Sequence, residues 1–394
     1  MNRREVKRAP VLRFKGFTND WEQRKLIEIL KSSVTDGPHE TPQILKKGVP
    51  FISVEAIVNN KIDFNRKRGY ISFSYNAQCN KKYRPQKKDV LLVKSGSTVG
   101  KVAVVETNTI FNIWSPLAAL RVTNSNDPYF LYYLLQTNTL QRQIINKSKG
   151  GTQPNLSMRI LEQFKIFLPQ NYLNQQKIEQ LLRTLDKCIS LQQRKLESFQ
   201  FTYHEIIRRL FLKKAKWQQT KLSDLVTILD KNRKPVKKED RLFGDTPYYG
   251  ANGIQDYISG FTHKGEFILI AEDGANNLTE YPIYFVKGQI WVNNHAHVLK
   301  VNKDVSPLFL TLALKQINYS KYTVGSSRNK LNLKDLENIA IFIPDNNEQQ
   351  KIGQFYSNYL NYLRINKKRI QYMKQFKQFL LQNMFVNCNN KLNT

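Results

Sequence analysis

Residues Ile166–Ile178 read IFLPQNYLNQQKI, and residues Ile341–Ile352 read IFIPDNNEQQKI. Each stretch begins as a short apolar segment, is stopped by Pro169 or Pro344, and leads into a long pattern with helical spacing. The repeat distance is close to half of the 394-residue chain. It is too long for a solenoid built from units of about 20–50 residues. We therefore interpret the repeat as a duplicated domain.

Other matching segments occur in the same order in both halves of the chain. WEQRKL from Trp21 resembles WQQTKL from Trp217, and the apolar segments DVLLVKSG and EFILIAEDG follow them. DPYFLYYLL from Asp127 matches SPLFLTLAL from Ser306, and an Asp or Ser before Pro predicts a capped helix with Pro in its first turn. The offset falls from 196 residues at the tryptophans to 175 at the closing strands, so the first copy carries about 20 extra residues.

After each closing strand, apolar residues recur in steps of four and three, which predicts two helices that each bury one stripe. The steps run from Ile178 through Tyr203, Ile206 and Leu210, and the same register returns 174 residues later. We assign the seam to Leu182, Leu185, Ile189, Gln192, Leu196 and Phe199 in the first helix and to Leu363, Asn366, Ile370 and Met373 in the second. Gln192 and Asn366 hold equivalent polar positions, where a buried pair fixes register.

The helices either pair with each other or pack on their own globular domains, and we favour the pair. The repeats then predict an α+β fold in which two similar domains are separated by a long antiparallel two-helix coiled coil. We place the first domain at residues 1–170, its helix at 171–214, the second domain at 215–345 and the last helix at 346–388.

The charge balance predicts a polyanionic partner. The chain has 62 Lys and Arg residues against 31 Asp and Glu, a net charge of +31, and nucleic acid is the first candidate. An AT-rich genome would raise Glu as well as Lys. Cys79, Cys188 and Cys388 form neither a disulfide framework nor a CxxC site, which fits a reducing cytoplasm. We find no secretion signal and no run of 18 apolar residues, so we expect a soluble protein without membrane contact.

Three patterns suggest chemistry of the chain's own, and each is weak. SGSTVGKVA, with Gly96, Gly100 and Lys101, has the wrong spacing for a Walker loop, so we favour a phosphate contact or a plain turn. His295 and His297 are two residues apart, which would place them on one face of a strand. We favour a hydrogen-bonding pair over metal ligands because we find no cluster of Cys or carboxylates nearby. Glu272 and Asp273 lack a supporting lysine for a nuclease. We therefore predict no catalytic residue and no metal site.

An adenine methyltransferase needs a short Asn/Asp-Pro-Pro-aromatic loop to hold a flipped base, and the chain has none. Loop residues with base-reading or phosphate-binding side chains are the candidate DNA contacts. In the first copy they are Asp36, His39, Thr41, Lys94, Ser95, Ser97, Thr98, Lys101, Lys149, Gln153 and Asn155. In the second copy they are Asn232, Arg233, Lys234, Tyr248, Tyr249, Asn252, Asn276, Asn277, Arg328, Asn329 and Lys330.

The chain resembles the specificity subunits of type I restriction-modification enzymes over almost its whole length. The resemblance rests on the paired domains, the two helices and the ordered phrases DGPHETP, GVPFISVEAI, KSGSTVGKVA, GGTQPNLS, YYGANGIQDYI, EDGANN, WVNNHAHVLKV and FIPDNNEQQKI. It implies two target-recognition domains that read a bipartite, asymmetric DNA target, in a non-catalytic subunit of the prokaryotic cytoplasm. It also implies partners: methyltransferase subunits, expected to be two, and restriction subunits, which would carry S-adenosylmethionine, ATP and Mg²⁺.

Two other classes of function remain open from the residues alone. One is a stand-alone DNA-modifying or DNA-cleaving enzyme, and the other is a protein-interaction scaffold whose charge serves solubility. Catalysis by the isolated chain would favour the first, and failure to bind DNA at low salt would favour the second.

Overall fold

The computed structural model describes residues 9–149, 153–212, 216–275, 277–278, 280–325 and 329–386. Short strands and helices alternate in two successive stretches, and each stretch ends in one long helix. The chain divides into two compact units: the first takes residues up to Gln192 and those from Arg369 onward, and the second takes Gln193–Lys368. Each unit therefore contains one copy of the domain and a part of both long helices.

The first copy contains eleven strands and four short helices within the described residues, and its long helix follows them. The strands are β1 (Glu22–Lys25), β2 (Thr35–Asp36), β3 (Val49–Ile52), β4 (Ile57–Val58), β5 (Lys61–Ile62), β6 (Gly69–Ile71), β7 (Val90–Val93), β8 (Val102–Val104), β9 (Asn112–Ile113), β10 (Leu117–Leu120) and β11 (Lys165–Leu168). The helices are α1 (Phe73–Lys82), α2 (Pro128–Leu135), α3 (Asn138–Ser148), α4 (Met158–Glu162) and the long α5 (Tyr172–Leu212).

The second copy contains ten strands in the part of the chain that the structure describes. The strands are β12 (Gln218–Lys221), β13 (Val226–Ile228), β14 (Phe243–Gly250), β15 (Gly253–Ile258), β16 (His263–Ala271), β17 (Ile283–Val292), β18 (Ala296–Val301), β19 (Thr323–Val324), β20 (Lys330–Leu331) and β21 (Ala340–Ile343). The helices are α6 (Pro307–Leu314), α7 (Leu333–Glu337) and the long α8 (Asn346–Asn383).

The two copies share their strand pairing. In the first, β10 lies between β2 and β7, β3 runs parallel to β9, and β1 pairs with β11. In the second, β18 lies between β13 and β16, β14 runs parallel to β17, and β12 pairs with β21. The α+β fold and the duplication predicted from the sequence are confirmed.

The length difference between the copies lies mainly in the segment ahead of the central sheet. Helix α1 follows β6 in the first copy, whereas only four residues separate β15 from β16 at the corresponding place in the second. Helix α1 begins at a capping residue, since Ser72 Oγ accepts a hydrogen bond from the Tyr75 backbone amide. The insertion is therefore an ordered helix.

The predicted helix caps are confirmed in both copies. The Asp127 carboxylate accepts hydrogen bonds from the amides of Tyr129 and Phe130, and Pro128 follows it. Ser306 Oγ accepts the Phe309 amide, and Pro307 follows it. Both helices are almost wholly buried, because they lie in the centre of each core.

Each core contains the same arrangement of three aromatic side chains, a tryptophan and two phenylalanines. Trp21 lies 5.8 Å from Phe130 and 6.1 Å from Phe385 between ring centroids. Trp217 lies 5.8 Å from Phe309 and 5.4 Å from Phe211. In each unit the tryptophan lies near the start of the copy, and one phenylalanine belongs to the buried helix. The other is Phe385, just after α8, in the first unit and Phe211, in the last turn of α5, in the second.

The long helices pack against each other within each unit, and the contacts run antiparallel. In the second unit Tyr203 of α5 stacks on Tyr359 of α8 with ring centroids 3.4 Å apart. In the first unit, Lys377 of α8 makes a 2.8 Å ion pair with Asp186 of α5. In the second unit Phe199 of α5 also packs on Tyr362 of α8, so going forward along α5 means going backward along α8.

Most of the predicted seam is covered. Leu182, Ile189, Leu196, Asn366 and Ile370 are buried, and Leu185, Gln192, Leu363 and Met373 are partly buried. Phe199 is 37% exposed and packs on Tyr362 at 4.1 Å. The assignment of Ile206 is wrong, since Ile206 is exposed and Ile207 is buried. A straight helix has 3.6 residues per turn, so a strict heptad drifts off the buried face.

The first glutamine of each QQKI sequence joins a long helix to the buried helix of its copy. The Gln175 side chain accepts the backbone amide of Asp127, and the Gln349 side chain accepts that of Ser306. Both bonds lie at buried helix N-termini, where unpaired backbone amides are costly. Asn366 donates to Tyr362 O in its own helix, and its predicted pairing with Gln192 stays a prediction.

Candidate nucleic-acid interface

The first copy gathers a carboxylate and three basic side chains at the end of strand β2. Asp36 is fully buried, and Lys94, at the end of β7, places its Nζ 3.3 Å from Oδ2 of Asp36. Lys82, the last residue of α1, donates to Oδ1. His39 Nε2 lies 3.1 Å from Oδ2. We call these four residues the first cluster. Its two lysines give the buried carboxylate the close positive partners that it needs.

Two of the predicted DNA contacts in this cluster are internal. Asp36 has no exposed side-chain surface, and the Lys94 side chain is only 9% exposed. Their ion pair therefore acts inside the protein, and the prediction that they touch DNA is corrected. His39 and Lys82 remain accessible, with side chains 71% and 50% exposed. Lys82 was not among the candidate DNA contacts predicted from the sequence, because no motif in α1 connects it with the segment that carries Asp36 and His39.

A close backbone approach fixes the loop that carries His39. A Cβ atom on Gly37 would lie 1.9 Å from the carbonyl oxygen of Ile113, so only glycine fits there. The Trp114 indole donates to the carbonyl oxygen of Glu40, and the Arg68 guanidinium lies 4.1 Å from the Trp114 ring. The loop is thus held at both ends against strand β9 and its continuation.

The turn between β7 and β8 meets the late loop that precedes α4. Gly96 and Gly100 both have φ near +97°, a conformation that favours glycine. Gly96 N donates to Pro154 O, and Ser95 forms a bridge with Asn155. The exposed predicted residues on these two loops and their neighbours are Thr41, Ser97, Lys101, Lys149, Gln153 and Asn155, whereas Ser95 and Thr98 are half-buried.

Two further polar residues lie beside this turn and were missed in the sequence. Asn59 and Arg66 line a cleft with Ser97, Thr98 and Lys101. Asn59 and Asn60 have φ of 50° and 57° in the tight hairpin between β4 and β5. The Asn-Asn pair between two apolar dipeptides is a hairpin signal that could have placed this loop.

The second copy builds a charge cluster at the place that corresponds to the first. His297 Nδ1 lies 2.5 Å from Asp230 Oδ2, and its Nε2 lies 2.9 Å from Leu331 O. Arg233 donates to Glu272 at 2.6 Å and lies 3.4 Å from Asp230. We call Asp230, Arg233, Glu272 and His297 the second cluster. Burial opposes ionisation of Asp230, but the hydrogen bonds from His297 and the Val298 amide outweigh it, so the pKa of Asp230 is lowered.

Backbone hydrogen bonds establish which residues of the two clusters correspond. Leu156 N donates to Lys94 O, and Leu331 N donates to Glu272 O. Lys94 and Glu272 therefore occupy the same position with opposite charge. Asp36 lies opposite Ala118 of β10 in the first copy. Extending the pairing of β13 with β18 in the second copy places Asp230 opposite His297, so Asp36 and Asp230 correspond.

The other predicted contacts of the second copy are distributed around this cluster. Asn232, Lys234, Asn252, Asn277 and Lys330 are exposed, and Arg233, Tyr249 and Asn329 are half-buried. Tyr248 is buried and its hydroxyl accepts the Val236 amide, so the prediction that it touches DNA is corrected. Asn276 and Arg328 lie outside the described residues.

The second cluster also bears on the predicted absence of catalysis. Contrary to the sequence reading, carboxylates do lie beside the histidines, and Lys330 Nζ is 3.7 Å from Glu272. Ligand atoms of Asp230, Glu272 and His297 lie within 4.8 Å of one another, a spacing compatible with a cation. Arg233 already supplies positive charge to both carboxylates. The arrangement therefore favours an ion-pair network.

Among the described residues, neither long helix nor any shorter one has an apolar stretch of the length that a bilayer span requires.

The family described as type I restriction modification DNA specificity domain matches the chain twice, over residues 18–199 and 214–375. A putative type I restriction enzyme specificity subunit from Haemophilus influenzae is 43% identical over 131 residues, 33% of this chain and 34% of that protein. The putative MjaX specificity subunit from Methanocaldococcus jannaschii is 28% identical over 49% of this chain and 46% of that protein. The chain thus spans about a third to a half of these two relatives.

Two solved structures are also similar. The S subunit of a type I restriction-modification system from M. genitalium has a TM-score of 0.68 at 18% identity and covers 97% of this chain and 100% of that chain. A structure from work on complex assembly and conformational transition of the type I restriction-modification system has a TM-score of 0.56 at 15% identity, covering 93% and 97%. The fold is shared with both. Since the family match covers most of the sequence in two successive copies, this chain belongs to the type I restriction-modification DNA specificity domain family.

Proposed function

We propose that this chain is the DNA-reading specificity subunit of a prokaryotic type I restriction-modification system. Each copy reads one half of a bipartite, asymmetric target. The observation that carries the proposal is that one backbone frame presents different polar side chains at equivalent positions in the two copies. Asn155 and Lys330 are such a pair, because each forms a bridge with the second residue after a strand, Ser95 after β7 and Asp273 after β16.

The charge of the chain supports DNA as the ligand. A net charge of +31 favours a polyanion, and exposed Lys101 and Lys149 in the first copy and Lys234 in the second suit phosphate contacts. Affinity should then fall steeply with salt, with a log–log slope near −0.9 for each phosphate contacted.

The long helices support a second role as a scaffold for methyltransferase subunits, expected to be two, and for restriction subunits. Large apolar side chains stay exposed on both helices, and such surfaces commonly bind other proteins. They are Leu191, Phe201, Ile365, Tyr372, Phe376 and Phe379. We assign S-adenosylmethionine, ATP and Mg²⁺ to the partner subunits and the assembly to the cytoplasm, and we assign no catalytic step to this chain.

Methylation mapping of the host genome with and without this chain tests the proposal. The variants Asn155→Ala and Lys330→Ala are matched, because they alter equivalent positions in the two copies. Each should relax the sequence requirement in one half of the target and leave the other half unchanged. Uniform weakening on all sequences would mean that these side chains contact only phosphate. Methyl transfer or cleavage by the isolated chain would overturn the non-catalytic assignment.

A further inference from the structure

The second copy presents two large apolar side chains directly after a strongly basic segment. Leu242 is 76% exposed, and Phe243, the first residue of β14, is 91% exposed. We call these two residues the apolar tip. An isolated exposed apolar side chain needs no explanation, but two adjacent ones at the edge of a domain mark an interaction surface.

The backbone of the apolar tip is held in place. The carbonyl oxygen of Leu242 accepts the Ser259 amide, and Phe243 pairs with Ile258 across the hairpin. A Cβ atom on Gly244 would lie 2.5 Å from the Ser259 nitrogen, so the strand passes its neighbour too closely for a side chain there. The tip therefore projects from a defined strand end.

The residue before the tip strengthens this anchoring. Arg241 is only 15% exposed and makes a 3.2 Å ion pair with Asp256. Its guanidinium also lies 4.2 Å from the Tyr248 ring and donates to Val236 O. Because Arg241 is fixed on three sides, Leu242 and Phe243 cannot easily fold back onto the domain.

The segment that leads to the tip is basic. Residues Lys231–Arg241 contain six basic side chains against the acidic Glu239 and Asp240, and Asp245 follows the tip. The exposed lysines of the segment are Lys231, Lys234, Lys237 and Lys238. A ligand that suits both features carries negative charge outside and apolar faces within reach. Duplex DNA has this combination, since phosphates flank stacked bases.

The first copy differs in the stretch just before β3. There Ile44 is only 41% exposed and Leu45 is half-buried, while Lys46 and Lys47 are exposed. Lysine side chains bind phosphate oxygens and do not enter a base stack. The two copies should therefore treat the DNA differently at this place.

We propose that Leu242 and Phe243 form a wedge that inserts between adjacent base pairs of the half-site read by the second copy. The insertion unstacks one base step and bends the duplex, while the lysines of the basic segment hold the flanking phosphates. Apolar wedges of this kind kink DNA by about 20–90°. This inference rests on the proposed DNA-reading function and adds a deformation step to it.

The test uses the chain assembled with its methyltransferase subunits and target duplexes that carry 2-aminopurine at one position at a time. Wild-type protein should raise the fluorescence at one step in the second half-site. Phe243→Ala should abolish that rise and weaken target binding on the order of tenfold, as loss of one stacking contact does. Phe73→Ala, which removes a 73% exposed ring from the first copy, is the matched control and should leave the signal unchanged.

The double variant L242K/F243K gives the second copy the charge of the first at this place. It should lose the fluorescence rise while its affinity becomes more salt-dependent, by up to about 0.9 in slope for each added phosphate contact. Target binding by wild-type protein with no fluorescence rise at any step would overturn the wedge, as would Phe243→Ala variants that only weaken subunit assembly without DNA. Failure of wild-type protein to distinguish target from scrambled duplex would instead overturn the proposed function itself.

Discussion

The two copies use the same backbone frame to hold clusters of different composition. In the first, buried Asp36 forms ion pairs with Lys82 and Lys94. Lys94 lies at the position that Glu272 occupies in the second copy. In the second, Arg233 forms ion pairs with Asp230 and Glu272, and His297 shares a hydrogen bond with Asp230. The aspartate is common to both, while its partners come from different elements. Backbone geometry and the charges placed on it can therefore change independently within one fold.

The largest expected effect tests the shared frame. Phe385→Ala should lower the free energy of unfolding of the first unit by about 4 kcal/mol, because Phe385 is 1% exposed beside Trp21. Phe211→Ala removes the corresponding ring from the second unit, where Phe211 is only half-buried, and should cost about half as much. Hydrogen exchange resolved by peptide measures both. Equal losses in both units would contradict the difference in burial.

The next effect tests the first cluster. Asp36→Ala leaves Lys94 buried without its counter-ion and should destabilise the first unit by about 3 kcal/mol. A second change in that background, Lys94→Met, should recover much of the loss because it removes the unpaired charge. Urea unfolding followed by Trp fluorescence measures both variants. If Lys94→Met gives no recovery, the pair does not carry the stability of the cluster.

A smaller effect depends on pH and exists in one copy only. Burial of Glu179 and the nearby charge of Asp127 raise the pKa of Glu179 to about 7, although Arg183 opposes the shift. The folded state then holds a proton that the unfolded state releases, so stability falls as pH rises from about 5 to 7. Glu179→Gln should abolish this slope and stabilise the first unit above pH 7 by about 1–2 kcal/mol, since nearby water reduces the full effect.

The second copy has no carboxyl group at this place, because Gly353 occupies the position that corresponds to Glu179. A Cβ atom on Gly353 would lie 2.8 Å from Ser306 Oγ, so no side chain is accommodated there. Unfolding curves from pH 5 to 8 should show the slope in the first unit. A slope that survives in Glu179→Gln would assign it to another group.

The smallest effect concerns an exposed ion pair. Glu22 lies 2.7 Å from Arg24, and both side chains are largely exposed. Glu22→Gln gives β1 the residue that β12 has at Gln218 and should change the free energy of unfolding by less than about 0.5 kcal/mol. Thermal or urea unfolding measures it, and a loss above 1 kcal/mol would show that surface charge, too, distinguishes the copies.

Local signals made much of the architecture predictable from the sequence. The capping Asp127 and Ser306, each followed by proline, fix where two buried helices begin, and the apolar runs before Pro169 and Pro344 are the strands β11 and β21. Such signals act within a few residues of the chain. They need no knowledge of the tertiary fold.

The clusters could not be predicted because they depend on contacts between distant segments. No sequence pattern near Lys82 indicates a contact with Asp36, because the inserted α1 brings the two residues together only in the folded chain.

The alignment of the two copies was also wrong by one residue. The sequence match of DVLLVKSG with EFILIAEDG near Leu91 and Ile268 implied an offset of 177 residues, whereas the hydrogen bonds that equate Lys94 with Glu272 give 178. A shift of one residue exchanges the two faces of a strand.

The contact of Phe385 with Trp21 means that the cores of the two units are completed at different stages of translation. The tryptophan of the second unit finds Phe211 a few residues upstream, already synthesised. The tryptophan of the first unit must wait for Phe385, which is synthesised only after the whole second copy. The first unit would thus complete its interior after the second copy has been made, although its own copy precedes the second, and until then it would need protection from aggregation.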